Sequence, residues 1–155
     1  RASMNVTELL SVKGVEFEML PHRYTYNAQT MAETLHVPGR EVAKTVLLRT
    51  GAKDFVVAVL PANREVDLEK AANVLGDGIV EIATEFEISQ LFPDCELGAI
   101  PPFGSQYGLQ TLVDITLSQD EQIVFEGNTH HEAFRVSFED FRRLEQPLVV
   151  DFVVG

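Results

Sequence analysis

Lys44 stands in the run Val42-Ala43-Lys44-Thr45-Val46-Leu47-Leu48-Arg49, where a period of two puts it on one face with Val42, Val46 and Leu48. An ammonium held among large aliphatic side chains can reach an anionic or carbonyl oxygen of a ligand in a partly apolar cavity. The same lysine can equally lay its stem along the sheet and carry its charge to water. Cys95 is the only thiol. As a nucleophile it would need a histidine base, and its neighbours Asp94 and Glu96 raise a thiol pKa, so a buried or incidental role is favoured. His130 and His131 are adjacent, so an extended chain points them to opposite sides, and neither HxH nor HExxH spacing is present to suggest a metal. One of the pair could hydrogen-bond a substrate hydroxyl from a turn, against the plainer reading of a solvated loop histidine. His22 and His36 read as structural or exposed.

The stretch Glu96-Leu97-Gly98-Ala99-Ile100-Pro101-Pro102-Phe103-Gly104 carries chemistry of another kind. Adjacent prolines remove amide donors and the flanking glycines supply unusual dihedrals, which excludes a helix or a central strand. Between the glycines there is no nucleophile, acid or base. Whatever such a loop recognises must be met by main-chain amides and carbonyls, as in a substrate cradle. A proline-stiffened connection between a helix and a strand is the competing reading. P-loop, GxGxxG, GxSxG and paired-carboxylate signatures are missing, and most acids fall at helix caps and exposed strand faces.

The elements that must position these groups follow from caps and periodicity. Asn5 to Lys13 reads as a capped helix closed by Gly14, Val15 to Leu20 as a half-buried strand, and Pro21 to Asn27 as a polar and aromatic loop. Ala28 to Leu35 reads as a helix, Val42 to Arg49 and Phe55 to Leu60 as strands joined by a hairpin-length turn, and Asp67 caps a helix to Leu75. Ile79 to Ala83 is a short strand, and Thr84-Glu85-Phe86-Glu87 is a capping box whose helix feeds the proline loop. Thr111 to Leu117, Gln122 to Glu126 and Ala133 to Val136 read as strands, Ser137 caps a helix to Leu144, and Leu148 to Val153 closes as a strand. Helices and strands interleave without a regular parallel rhythm. The expected fold is α/β, a mixed, curved, largely antiparallel sheet with flanking helices.

One domain over residues 4–155 is expected from a chain of 155 residues, with Arg1-Ala2-Ser3 before Met4 read as an expression scar. The lone cysteine suits a reducing compartment, and the absence of a long apolar run or leader pattern points to the cytoplasm and away from membranes. A formal charge of -12 opposes any broad nucleic-acid surface, DNA included, so a nucleic-acid substrate would be gripped locally or delivered by a partner.

His22, Ala28-Gln29-Thr30-Met31-Ala32, Ala43-Lys44-Thr45-Val46, Leu60-Pro61-Ala62 with Val66-Asp67-Leu68, Ala83-Thr84 and the loop from Gly98 to Gly104 together resemble the YbaK and prolyl-tRNA-synthetase-associated editing domain. The similarity runs from about Val15 to Asp140. It implies a free-standing deacylase that hydrolyses the ester of mischarged tRNA, with proline tRNA carrying alanine or cysteine as the expected substrate. It implies no cofactor or metal, and contact with the aminoacyl-tRNA 3′ end, with an aminoacyl-tRNA synthetase as a candidate partner. The family's GxxxP loop matches Gly98 and Pro102, and its lysine matches Lys44, which gives these three the catalytic roles. His22, Thr45, Ala99, Ile100, Pro101 and His130 would contact substrate. In the family a ribose hydroxyl of the substrate, rather than a side-chain base, is thought to position water. Two other readings stay open from the residues: a catalytically idle nucleotide- or aminoacyl-binding module, which the acidic charge favours, and a small-ester or amide hydrolase using Cys95.

Overall fold

Short apolar runs separated by caps and turns give this chain many brief elements and no long one. A computed structural model describes residues 4–22, 28–76 and 78–155. In order these are α1 (Val6–Val12), β1 (Glu18–Pro21), α2 (Ala28–Leu35), β2 (Ala43–Thr50), β3 (Phe55–Pro61), α3 (Leu68–Leu75), β4 (Val80–Ile82), α4 (Glu85–Leu91), β5 (Gln110–Asp114), β6 (Gln122–Glu126), β7 (Glu132–Ser137), α5 (Phe138–Glu145) and β8 (Leu148–Val150). The expected loop at Arg23–Asn27 and the scar at 1–3 lie outside the described residues. Among those described, no helix is long and apolar enough to cross a membrane.

The caps read from the sequence are in place. Asn5 accepts from Glu8, Asp67 from Glu69 and Lys70, and Ser137 from Asp140, while Thr84 and Glu87 close a reciprocal box. Two strands are shorter than their composition suggests. The run from Thr111 to Leu117 stops at Asp114, whose carboxylate accepts from Thr116 N–H and turns the chain into a 3-10 segment, Ile115–Gln119. The closing run pairs only over Leu148–Val150, and Val153 makes a separate bridge to Val66.

The mixed, largely antiparallel arrangement is divided between two sheets. One has the order β1-β7-β6, and the other β4-β2-β3-β5-β8, with β3, β5 and β8 parallel. They meet where Val42 bridges Val124 and the Glu41 carbonyl accepts from Val124 N–H at 2.9 Å.

The two faces of β2 serve different cores, as its period of two requires. Ala43 and Leu47 join Val57, Val59, Phe103, Phe125, Phe134 and Phe141 in the main core. Leu48 turns the other way with Ala58, Leu60, Phe152 and the small Ala71 and Ala72 of α3. Met31 and Ala32 of α2 pack on Val42, Val124 and Ala133, which places that helix over the seam between the sheets. The candidate site lies at this seam.

Candidate active site

The proline loop is half surface and half core. Glu96, Leu97 and Gly98 are exposed, whereas every residue from Ala99 to Gly104 is buried. Burying Pro101 and Pro102 removes two amides that would otherwise need partners, so the chain can dive into the core at little polar cost. Phe103 anchors this half edge-on against Phe125, with ring centroids 5.4 Å apart, and burial of such a side chain is worth about 1.5–3 kcal/mol. Gly104 sits so close to Thr111 that a Cβ there would lie 2.6 Å from Oγ1. Its N–H donates to that hydroxyl at 3.1 Å, and the hydroxyl donates to the buried Glu145 at 2.6 Å.

The exposed half is held by the turn between β6 and β7. Glu96 N–H donates to the Asn128 carbonyl at 2.9 Å, and the Glu96 carboxylate accepts from His130 N–H at 2.7 Å. His130 is 2% exposed, with Nε2 2.6 Å from the Leu97 carbonyl and Nδ1 3.0 Å from Glu126 Oε2. A carbonyl only accepts, so Nε2 carries hydrogen, and Nδ1 is left to face the Glu126 carboxyl. Burial pushes the Glu126 carboxyl up to about 7, opposed by His130 and reinforced by Glu96. Gly98 follows directly with φ of +84°, in the region that favours glycine. Ala99 N–H closes the turn onto the Glu96 carbonyl at 2.9 Å. Among the described residues, neither the Gly98 nor the Ile100 N–H donates to a protein acceptor.

Gly98 and Ile100 line a cavity of about 170 Å³. Its other walls are Ala43, Lys44 and Thr45 from the start of β2, Ala28 from α2 and Glu126 from the end of β6. The structure thus brings together Lys44, Thr45, Gly98 and Ile100 of the residues singled out from sequence. Ala99, Pro101 and Pro102 lie buried behind the loop as its frame, away from the cavity wall. His22 does not line the cavity; its N–H donates to the His131 carbonyl at 2.9 Å beside the end of β1. His130 acts on the loop from beneath, both ring nitrogens being engaged by protein. The Lys44 ammonium pairs with Glu65 Oε1 at 3.3 Å, and Glu65 is 81% exposed, so this is a weak surface pair.

Glu126 was hidden in the sequence. A lone acid ending a strand looks like one more exposed charge, yet its strand is buried from Ile123 onward. The usable signal was its spacing of four from His130 across a turn.

Cys95 belongs to a different hollow, with Phe92 and Leu97. Burial pushes its thiol up to about 11, so at neutral pH it is not a thiolate. Among the described residues no group of three His, Cys, Asp or Glu side chains could hold a metal ion.

Comparisons with known proteins bear on the fold and the family. The chain is 26% identical over 148 residues to the multifunctional Ser/Thr-tRNA deacylase ProXp-y of Escherichia coli (strain K12), covering 93% of this chain and 88% of that protein. Over 85 residues it is 35% identical to the proline–tRNA ligase of Thermosipho africanus (strain TCF52B), covering 53% of this chain but 15% of the ligase. Its fold matches the crystal structure of a candidate trans-editing enzyme for prolyl tRNA synthetase with a TM-score of 0.82 at 21% identity, over 97% of this chain and 95% of that one. The model of the aminoacyl-tRNA editing domain matches residues 22–144, and the chain belongs to that family.

Proposed function

We propose that this protein is an aminoacyl-tRNA deacylase, hydrolysing the ester between a wrongly attached amino acid and the 3′ end of tRNA. The observation that carries this reading is the small cavity in which two unpaired main-chain amides, Gly98 and Ile100, share walls with Lys44. Water attack on the ester carbonyl creates an oxyanion, and these amides are the donors suited to receive it. Each such donor is worth roughly 2.7–4 kcal/mol of transition-state stabilisation. Lys44 would leave Glu65 for a phosphate of the terminal nucleotide, an exchange that costs little because an exposed pair contributes only about 0.2–1 kcal/mol. Thr45 forms part of the wall against the acyl group. Ala99, Pro101, Pro102 and His130 hold the loop in shape. A ribose hydroxyl of the substrate would position the water, as the resemblance to the family implies; among the described residues lining the cavity, Glu126 is the one candidate side-chain base.

The cavity is well below the roughly 300 Å³ at which drug-sized pockets begin, so it suits a small acyl group. Alanine and cysteine on proline tRNA remain the sequence-based choice, and similarity to a Ser/Thr-tRNA deacylase adds serine and threonine. A synthetase pocket separates such neighbours by only about 1–3 kcal/mol per methylene, which is why a second sieve is useful. Similarity over 88% of a deacylase but 15% of a ligase supports action apart from synthetase catalytic modules; the protein would act in the cytoplasm, where a synthetase is the docking partner suited to bring tRNA to an acidic chain.

Deacylation of alanyl-, cysteinyl-, seryl-, threonyl- and prolyl-tRNA by wild type, Lys44→Ala and Cys95→Ala tests this. Wild type should release at least one amino acid, Lys44→Ala should lose most of that activity, and Cys95→Ala should retain it. No release from any substrate would leave a binding module, and loss on Cys95→Ala alone would point to thiol chemistry.

A further inference from the structure

Glu126 has a feature that support of His130 does not use. The residue is 8% exposed, and one oxygen, Oε2, meets His130 Nδ1 at 3.0 Å. The other, Oε1, takes no hydrogen bond from a described residue, yet it is not among the fully enclosed unpaired atoms, and Glu126 lines the cavity. A buried carboxylate that keeps one oxygen unpaired at a cavity wall is costly unless a donor arrives there. Structural support of the histidine would need only the oxygen already used.

The chemistry of that donor follows from the neighbours. Among the described residues, Lys44 and Glu126 are the charged ones lining the cavity, and the others that line it are small or apolar. An aminoacyl ester carries its cationic α-amino group on the carbon next to the reacting carbonyl. If the carbonyl oxygen lies at the amides of Gly98 and Ile100, the amino group must fall within the same hollow, because it is two bonds from the carbonyl carbon. Among the described residues lining the cavity, Glu126 is the anion to meet it. Among the described residues, the other titratable groups around the carboxylate are His130 from the turn before β7 and Glu96 from the proline loop, with Lys44 also lining the cavity. An arriving cation would relieve the repulsion from Glu96 and hold Glu126 ionised.

Resting on the deacylase reading, we propose that Glu126 is a specificity-determining residue that binds the α-ammonium of the aminoacyl group through Oε1, selecting esters with a free α-amine and orienting their carbonyl toward the loop. Its removal should therefore cost more on an ester that has the amine than on one that lacks it.

The test compares the aminoacyl-tRNA released fastest by wild type with its α-hydroxy analogue, prepared by nitrous acid deamination of the same aminoacyl-tRNA. Each rate is divided by that ester's spontaneous hydrolysis. Wild type should favour the amine by about 10- to 100-fold in kcat/KM, the range of a hydrogen bond to a charged group. Glu126→Gln should lose that preference, its normalised rates on the two esters falling within about threefold of each other whatever the variant costs on both. A merely structural role would lower both substrates together and leave the ratio intact, which would overturn the proposal. The wild-type comparison needs no variant to fold, and equal normalised rates on the two esters would overturn it as well. Absence of release from every aminoacyl-tRNA would instead refute the deacylase reading, and this inference with it.

Discussion

Gly98→Ala separates the loop's role in stability from its role in catalysis. At φ of +84° an L-residue is strained, by about 1–2 kcal/mol. The new methyl would meet His130 Cε1 and Nε2 at 3.6 Å, an ordinary contact, so no clash adds to the strain. Against it stand the His130 to Leu97 bond at 2.6 Å and the Glu96 and Ala99 backbone bonds at 2.9 Å, each worth about 0.5–1.5 kcal/mol. Those restraints together match or exceed the strain, so the loop should keep its shape and the molecule should bear the cost. For a chain of this size that corresponds to a fall in Tm of about 2–8 °C. The methyl would lie on the His130 side of the loop, and Gly98 also lines the cavity of about 170 Å³, so any part of the strain relieved by a shift of its peptide moves the amide proposed to receive the oxyanion. Removing such a donor costs about 100- to 1,000-fold in kcat, and displacing it should cost a measurable part of that. Melting by circular dichroism and single-turnover deacylation would measure the two effects on the same preparation. Wild-type deacylation within threefold, with the expected fall in Tm, would refute the claim that this stretch of backbone faces the reacting carbonyl.

Two further outcomes are expected. Glu126 is raised to about 7 in the folded protein against about 4.5 unfolded, so the native state holds a proton that the unfolded chain has released. Its contribution to stability is complete below about pH 4.5 and is lost as pH rises through about 7. Urea denaturation from pH 5 to 8 should therefore show wild type losing stability relative to Glu126→Gln, and a difference that does not vary with pH would contradict this. Salt is the second lever. If Lys44 is the one phosphate contact, log affinity should fall with log salt at a slope of only about -0.7, which competition by uncharged tRNA would measure; a slope several times steeper would reveal a basic face beyond the cavity.

Much of the frame was legible because local rules and tertiary packing agree. Thr84 and Glu87, Asp67 with Gly76, and Ser137 with Asp140 stand where the helices begin or end, and the period of two in β2 assigns both of its faces correctly. The loop from Gly98 to Gly104 was legible as irregular backbone because proline and glycine act through their own dihedrals. Where the reading fell short, a long-range partner decides. Asp114 ends its strand by accepting from Thr116 and from Phe152 N–H, the latter 38 residues away, and no local pattern announces that pairing. The division into two sheets rests on the contact between Val42 and Val124, 82 positions apart.

The same distinction explains why Glu126 was invisible and Lys44 was not. A lysine among aliphatic residues violates the local pattern and draws the eye. A glutamate in a chain with 24 acidic residues violates nothing until its strand is seen to be buried. A loop whose function lies in its amides needs its orientation set by something outside itself, since glycine cannot hold φ of +84° by its own preference alone. Here the restraint runs from the Glu126 carboxylate through the His130 ring to the Leu97 carbonyl, the residue before Gly98. A site without a side-chain nucleophile still requires buried, hydrogen-bonded side chains, because rigidity of the main chain is what replaces reactivity.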